Sequence, residues 1–359
     1  MIKVGIIGCG KIADQHAQQI KRISGCDIVG VCDSEELMAK QLHERFGARG
    51  YYSDAAKMLD ETGPDVVHVT TPAQSHYALG KLCLEAGCHV YIEKPFTLNT
   101  AEAEELIAIA NGRGLKLTAG HNVQFFPEMV RMRSLIREGF LGGPPVHMES
   151  VYCYGLKNDV YASAFLGDRN HWVRLLPGKL LHNVISHGIS KIAEFMPGGH
   201  PRVEACGFTS EALRRSGAND IIDELRVIIH EGPVTAYFTF SSQISPMLHQ
   251  FHVYGPENSL LVDHAHRTVI KMRKKSHKSY LNHFIPPYDY GMQYIRNSLG
   301  NVRQFLKRDF HFDYGMKTLI ELFYKAAMQN APLPISYDEI LVTSRIMDDI
   351  FAQVYGNGQ

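Results

Sequence analysis

Residues 1–33, MIKVGIIGCGKIADQHAQQIKRISGCDIVGVCD, decide the fold. IKVGII is a short unbroken apolar run, the pattern of a strand buried on both faces. It ends in GCGKIA, so Gly8, Gly10 and Ala13 take the spacing G-x-G-x-x-A. Beyond the glycines Ile12, Ala13, His16, Ala17, Ile20 and Ile23 recur at intervals of three and four, one face of a helix. A second apolar run, CDIVGVCD, stops at Asp33. Strand, glycines, helix, strand and terminal acid, in that order, form the context that a dinucleotide site demands. Gly8 permits the tight turn, and Gly10 lets the backbone approach a pyrophosphate at the helix N-terminus, where Lys11 and Ile12 also stand. Asp33 can accept hydrogen bonds from a ribose 2′-hydroxyl and repels a 2′-phosphate, which favours NAD over NADP.

The alternation continues outward. MAKQLHERFG reads as a helix closed by Gly47, DVVHVTTP as a strand, and HYALGKLCLEAG as a helix. CHVYIEKP reads as a strand, TAEAEELIAIANGRG as a helix and LKLTAGHN as another strand. Strands alternating with helices of this length predict an α/β fold, a doubly wound parallel sheet of the Rossmann type. Ligands of such sheets sit at the carboxyl ends of the strands. Thr70, Thr71, Pro72, Glu93, Lys94, His121 and Asn122 all fall near those ends.

At 359 residues the chain is long enough for two domains, read here as 1–122 and 123–359. Lys and Arg number 37, as do Asp and Glu, so the whole molecule has no charge reason to bind nucleic acid. The seven cysteines are scattered without a C-x-x-C pair, which argues for a reducing, cytoplasmic setting. No apolar run reaches the length of a membrane span, and no cluster has metal-ligand spacing.

The combination of GIIGCGKIADQH, TTPAQSHYALGKLCLEAGCHVYIEKP and GHNVQFFP resembles the glucose-fructose oxidoreductase/inositol dehydrogenase/MocA (Gfo/Idh/MocA) family. The resemblance is clear over about residues 1–200. It implies a second α/β domain whose open, mostly antiparallel sheet carries the substrate site and often an oligomer contact. It implies NAD(P)-dependent oxidation or reduction of a sugar or cyclitol hydroxyl, and it adds His76 to the cofactor-site candidates. Lys94 fits such chemistry, because an ammonium beside a nicotinamide can stabilise developing alkoxide charge and relay a proton. Pro95 would turn the chain sharply there.

In PGKLLHNVISHGIS, residues 177–190, His182 and His187 are five apart. On a helix they diverge by about 140°, and on a strand they take opposite faces, so neither geometry favours a two-histidine metal pair. The resemblance matches His187 to the family's proton-accepting histidine and puts Asn183 where an aspartate usually stands. Asparagine can orient a hydroxyl but cannot act as a base. Gln124 stands where the family commonly has arginine, which suggests an altered substrate contact. Lys179, His182 and the Arg169, His171 and Trp172 of GDRNHW complete the substrate-site candidates.

VHMESVYCYG, LRVIIHEGPVTAYFTFSS and HQFHVYGPENSLLVD alternate as antiparallel strands do. Residues 271–308 hold nine Lys and Arg (271, 273, 274, 275, 278, 296, 303, 307 and 308) against one acid, Asp289, a net charge of +8. Met292, Ile295, Leu299, Val302 and Leu306 recur there at helical spacing, which fits either contact with a membrane surface or docking on the protein's own sheet. ISYDEILVTSRIMDDIFAQVY reads as a long amphipathic helix of the core.

The expected function is NAD-dependent oxidoreduction of a sugar or nucleotide-sugar by a homo-oligomer, with His187 taking the hydroxyl proton and Lys94 stabilising the oxygen. Two alternatives remain at this level: a redox-neutral lyase or glycosidase that cycles its NAD, and a non-catalytic dinucleotide sensor.

Overall fold

The computed structural model describes residues 1–156, 160–274, 277–306 and 314–356. They form two compact units, 1–122 with 315–348 and 123–314 with 349–359.

The first unit is a six-stranded parallel sheet. Its strands are β1 (Ile2–Ile7), β2 (Cys26–Cys32), β3 (Tyr51–Tyr52), β4 (Val66–Val69), β5 (His89–Ile92) and β6 (Leu117–Ala119), in the order β3-β2-β1-β4-β5-β6. The intervening helices are α1 (Lys11–Lys21), α2 (Glu36–Phe46), α3 (Ala55–Thr62), α4 (His76–Glu85) and α5 (Thr100–Gly112). The order reverses between β1 and β4, the switch point at which doubly wound sheets bind ligands. Ile6, Ile28, Val67, Val90, Ile92 and Leu117 are fully buried, because helices cover both faces of a parallel sheet. Two elements passed over in the sequence appear here. β3 is two residues long, too short to show a period. α3 is declared by its ends: the Asp54 carboxylate accepts from the Lys57 N–H, and Gly63 closes the helix at φ 49°.

The second unit opens with α6 (Pro127–Arg137), β7 (His147–Cys153), α7 (Val160–Gly167), α8 (Lys179–Val184) and α9 (Ser186–Ala193). It continues through β8 (Arg202–Phe208), α10 (Glu211–Arg215), β9 (Glu224–Glu231), β10 (Val234–Ser241), β11 (His249–Tyr254), β12 (Asn258–Asp263), β13 (Thr268–Arg273) and α11 (Ile285–Leu306). Its sheet runs β13-β12-β11-β7-β10-β9-β8 and is antiparallel except where β10 meets β7. β8 and β13, the two edge strands, had no clear sequence signal. Helix α12 (Tyr314–Gln329) and most of α13 (Tyr337–Tyr355) group with the first unit. The amphipathic reading of α13 holds, with Ile340, Ile346 and Ile350 fully buried.

The edge strand β13 is closed by side chains rather than by another strand. Gln293 of α11 accepts from the Lys271 N–H at 2.8 Å and donates to the Lys271 carbonyl at 3.1 Å. Asn297 accepts from the Val269 N–H at 3.4 Å and donates to its carbonyl at 3.3 Å, and Asn301 donates to the His266 carbonyl. Four residues of helix rise about 6 Å and two residues of strand about 6.6 Å, so amides spaced by four meet alternate strand residues. The docking face of α11 is therefore its amide face. Ile295, Leu299, Val302 and Leu306, which the sequence could equally place against the sheet, are between 51% and 74% exposed. Of the basic residues in 271–308, Lys275, Lys307 and Arg308 lie outside the described residues.

Candidate functional site

Gly8 leaves β1 at φ 94°, and a Cβ there would lie 2.7 Å from the Thr71 backbone nitrogen, so only glycine fits. Gly10 differs: a Cβ on it would meet nothing within 4 Å, which leaves open space before the first turn of α1. The Thr70 hydroxyl donates to the Gly8 carbonyl at 2.6 Å and fixes the turn against the end of β4. Asp33, at the end of β2, accepts from the Cys9 N–H at 2.7 Å through one carboxylate oxygen and from the Glu35 N–H through the other. Each oxygen keeps a further lone pair for a hydroxyl. An uncluttered helix N-terminus, a glycine cradle and a carboxylate with spare acceptor capacity fit a dinucleotide with an unphosphorylated 2′-hydroxyl.

Glu93 and Lys94 follow β5, and the Lys94–Pro95 peptide is cis. Glu93 is 5% exposed and accepts from His16 of α1 at 2.9 Å. The other ring nitrogen of His16 lies 2.8 Å from His68 of β4, and His68 in turn contacts the Tyr324 hydroxyl of α12 at 2.8 Å. Tyr91 stacks on the His68 ring at 4.8 Å. Burial raises the Glu93 carboxyl, but the His16 hydrogen bond and charge, with Lys94, outweigh it and hold the group below its ordinary range. Lys94 is half-buried at the carboxyl end of the sheet. Burial pulls its ammonium below its ordinary range while Glu93 acts against that pull. His121, after β6, is buried and pulled down to about 4, so its ring is neutral near pH 7. His76 is buried with its ring nitrogens 2.9 Å from the Pro95 carbonyl and 2.8 Å from the Thr71 carbonyl. It ties the loop after β4 to the loop after β5. Lys11, Ile12, Thr71, Pro72 and Asn122 all lie around these strand ends, at least half-buried or exposed.

In the second unit the 177–190 stretch is two helices, α8 and α9, joined at Ile185, whose φ −73° and ψ −20° remain helical. His182 is buried and stacks on Phe351 at 4.8 Å, whereas the His187 ring lies 5.6 Å from Tyr152. The two histidines occupy separate environments, as their spacing required. Asn183 is buried one turn before His187. α9 is pinned to the sheet beneath it: a Cβ on Gly188 would come within 2.2 Å of Phe238, and Ser150 donates to the Gly188 carbonyl at 3.1 Å. Gln124 is buried and donates to the Ser190 carbonyl at 3.0 Å, so its amide anchors the segment before α6 to α9. Lys179 pairs with Asp220 at 3.0 Å and sits at φ 46°, a left-handed conformation that favours glycine. Arg169 is exposed, and the rings of His171 and Trp172 lie 5.8 Å apart.

A buried polar group beneath α9 escaped the sequence reading. Lys191, one turn beyond His187, is 1% exposed and lies 5.6 Å from the Phe251 ring. Glu128 of α6 accepts from His264 at 2.7 Å, and Tyr152 stacks on His249 at 4.6 Å. Burial lowers the Lys191 ammonium to about 7, with Glu128 acting upward, and burial then Lys191 lower His264 to about 4. A lysine in the apolar sequence ISKIAEF was the available signal; its partners come from remote segments. Among the described residues no cluster of three or more His, Cys, Asp or Glu is arranged for a metal ion.

The first unit is a dinucleotide-binding Rossmann domain by its strand order, its glycine turn and the acid ending its second strand. Residues 2–121 match the oxidoreductase family with an NAD-binding Rossmann fold, so this domain is similar to those of the Gfo/Idh/MocA oxidoreductases. It is 32% identical over 142 residues to D-apiose dehydrogenase of Paraburkholderia graminis, covering 40% of this chain and 38% of that protein. It is 34% identical over 142 residues to D-glucoside 3-dehydrogenase of Escherichia coli, covering 39% and 40%. These alignments thus span about two fifths of the curated relatives. The fold of UDP-N-acetylglucosamine 3-dehydrogenase from Acidithiobacillus ferrooxidans matches with a TM-score of 0.73 at 20% identity, covering 98% of this chain and 97% of that one. This likeness extends the shared fold to the second unit.

The two glycines should separate folding from binding. Gly8→Ala is expected to lower stability by about 1–3 kcal/mol in urea melts. Gly10→Ala should melt like the parent yet bind NAD at least about tenfold more weakly in titration calorimetry; equal binding would remove the pyrophosphate from this turn.

Lys191 yields a pH signature. A lowered folded pKa means that between about 10.5 and 7 the unfolded chain takes up a proton that the native chain refuses. The native state therefore loses stability as pH falls through that window. Lys191→Met should exceed the parent in stability at pH 7 by about 3–5 kcal/mol, with the gap closing toward pH 10. A gap independent of pH would show that Lys191 is charged throughout.

Proposed function

We propose that this protein is an NAD-dependent oxidoreductase acting on a CH–OH carbon of a sugar, sugar derivative or cyclitol. The observation that carries the reading is Lys94: a half-buried ammonium, shifted toward neutrality, at the strand ends that also hold Gly8, Gly10 and Asp33. The similar dehydrogenases of apiose, glucosides and UDP-N-acetylglucosamine support a sugar as the substrate class.

NAD, when bound, supplies the acceptor for a hydride from the carbon being oxidised. Gly8, Gly10, Lys11 and Ile12 would hold the pyrophosphate, Asp33 the adenosine ribose, and the loops of Thr70–Pro72, Glu93 and Asn122 the nicotinamide half. His76 acts through the two loops it ties. Lys94 donates a hydrogen bond to the substrate oxygen and stabilises the negative charge that grows there as its proton leaves. His187 accepts that proton. Asn183 orients a substrate hydroxyl without competing as a base. Gln124, Arg169, His171, Trp172, Lys179 and His182 remain substrate-side assignments, of which Gln124, Lys179 and His182 act by holding α8 and α9 in place.

The test is incubation of protein and NAD with free sugars, polyols, uronates and nucleotide-sugars, following NADH and product mass together. NADH should accumulate with one substrate class. Lys94→Met and His187→Gln should each lower kcat by about a hundredfold or more while NAD binding persists. Product without NADH would replace this reading with the redox-neutral one, and NAD binding without any product would favour a sensor.

We also assign the chain to a reducing cytoplasm and to a homo-oligomer built on the open face of the second sheet, where Ile228 and Tyr237 are about half exposed. Light scattering of the parent and of Ile228→Glu with Tyr237→Glu should give an oligomer and a monomer. A monomeric parent ends the oligomer assignment, and a periplasmic fraction containing the protein ends the other.

A further inference from the structure

The helix α11 is 22 residues long, and none of its residues is buried. Its amide face is spent on β13, as described above. About 180° around the helix, at the spacing of successive turns, stand Tyr288, Ile295, Leu299, Val302 and Leu306, all more than half exposed. Phe284, just before the helix, is 67% exposed. Leaving this much apolar surface in water is costly, at about 25 cal/mol per Å².

At the N-terminal end of the stripe, where Tyr288 belongs to both, lies a cavity of about 300 Å³ between α11 and β13. Lys271, Arg273 and Arg296 converge on it, with Tyr288 at its rim and Asp289 as its acid. His277 also lines it, and its buried Nε2 has no hydrogen-bond partner among the described residues. Burial, then Arg273 and Arg131, push the Lys271 ammonium below its ordinary range, with Glu138 acting upward. The pocket is thus short of negative charge and has the donors for a phosphate.

We propose that α11 seats the protein on an anionic lipid surface, its apolar stripe entering the headgroup boundary and the adjoining cationic cavity taking a lipid phosphate. Charge decides the occupant. A second copy meeting this helix through the same patch would bring Lys271, Arg273, Lys274, Lys278, Arg296 and Arg303 against their own counterparts. A soluble phosphate would fill the cavity and leave the stripe in water. An anionic bilayer satisfies both features, with the helix lying in the interface plane. No helix of the described residues is long and apolar enough to cross a membrane, so the contact is peripheral.

Flotation of the full chain with vesicles tests this. On phosphatidylcholine mixed with phosphatidylglycerol, binding should exceed that on phosphatidylcholine alone by about tenfold and weaken as salt rises. Ile295→Glu with Leu299→Glu should abolish flotation, and Arg296→Glu should reduce it about fivefold or more. All these positions are exposed, so the variants should keep the parent's melting temperature and NAD binding. Absence of flotation, equal flotation on both vesicles, or variants that float like the parent would overturn the proposal. So would inorganic phosphate raising the melting temperature without flotation. A dimer that Leu299→Glu breaks, again without flotation, would assign the stripe to a second copy.

Discussion

The buried carboxylate of Glu93 is the constraint around which the first unit is arranged. An ionised carboxyl taken out of water is tolerated only with partners at hand, because the desolvation cost is several kcal/mol. His16 supplies the nearest one and comes from the helix that begins at the glycine turn. His68 and Tyr324 continue the chain of contacts through β4 into α12. The result fastens three things the proposed chemistry needs to one another: the helix at the cradle, the strand end that carries Lys94, and the sheet between them. Loss of one member would leave the others buried without compensation, which is why such networks behave as units.

The second unit solves a related problem with backbone contacts. His187 belongs to a helix whose glycine lies flush against Phe238 and whose carbonyls accept from Ser150 and Gln124. These contacts fix the helix against the sheet, and with it the position of the proposed proton acceptor. Beneath it, burial pushes Lys191 and His264 toward their neutral forms.

The legible parts of the chain were those in which local pattern and chemistry coincide. IKVGIIGCG and its following helix announced the turn, because tight backbone geometry demands glycine at a fixed interval after a strand. Asp33 and Lys94 stand at strand ends that local order defines, whereas the second histidine of 177–190 was singled out by the family resemblance alone. What escaped depends on residues far apart. His68 was visible as a polar residue inside an apolar strand, but its partners His16 and Tyr324 are 52 and 256 residues away. The Lys191 surroundings come from α6, α9 and the end of β12. In α11 the spacing gave a helix but not its orientation: hydrophobic periodicity marks a face, and here hydrogen bonds to an edge strand outweighed apolar burial in choosing which face docks.

That choice has a consequence for the sheet as a polymerisable object. An edge strand offers unpaired N–H and C=O groups to any extended chain that drifts past. At β13 the groups of Val269 and Lys271 are already answered by Asn297 and Gln293, and Asn301 holds the His266 carbonyl just before the strand, so a newcomer would have to peel away a helix before pairing there. On this side the sheet has a terminus, and lateral growth there is closed to amyloid-like stacking and strand exchange alike.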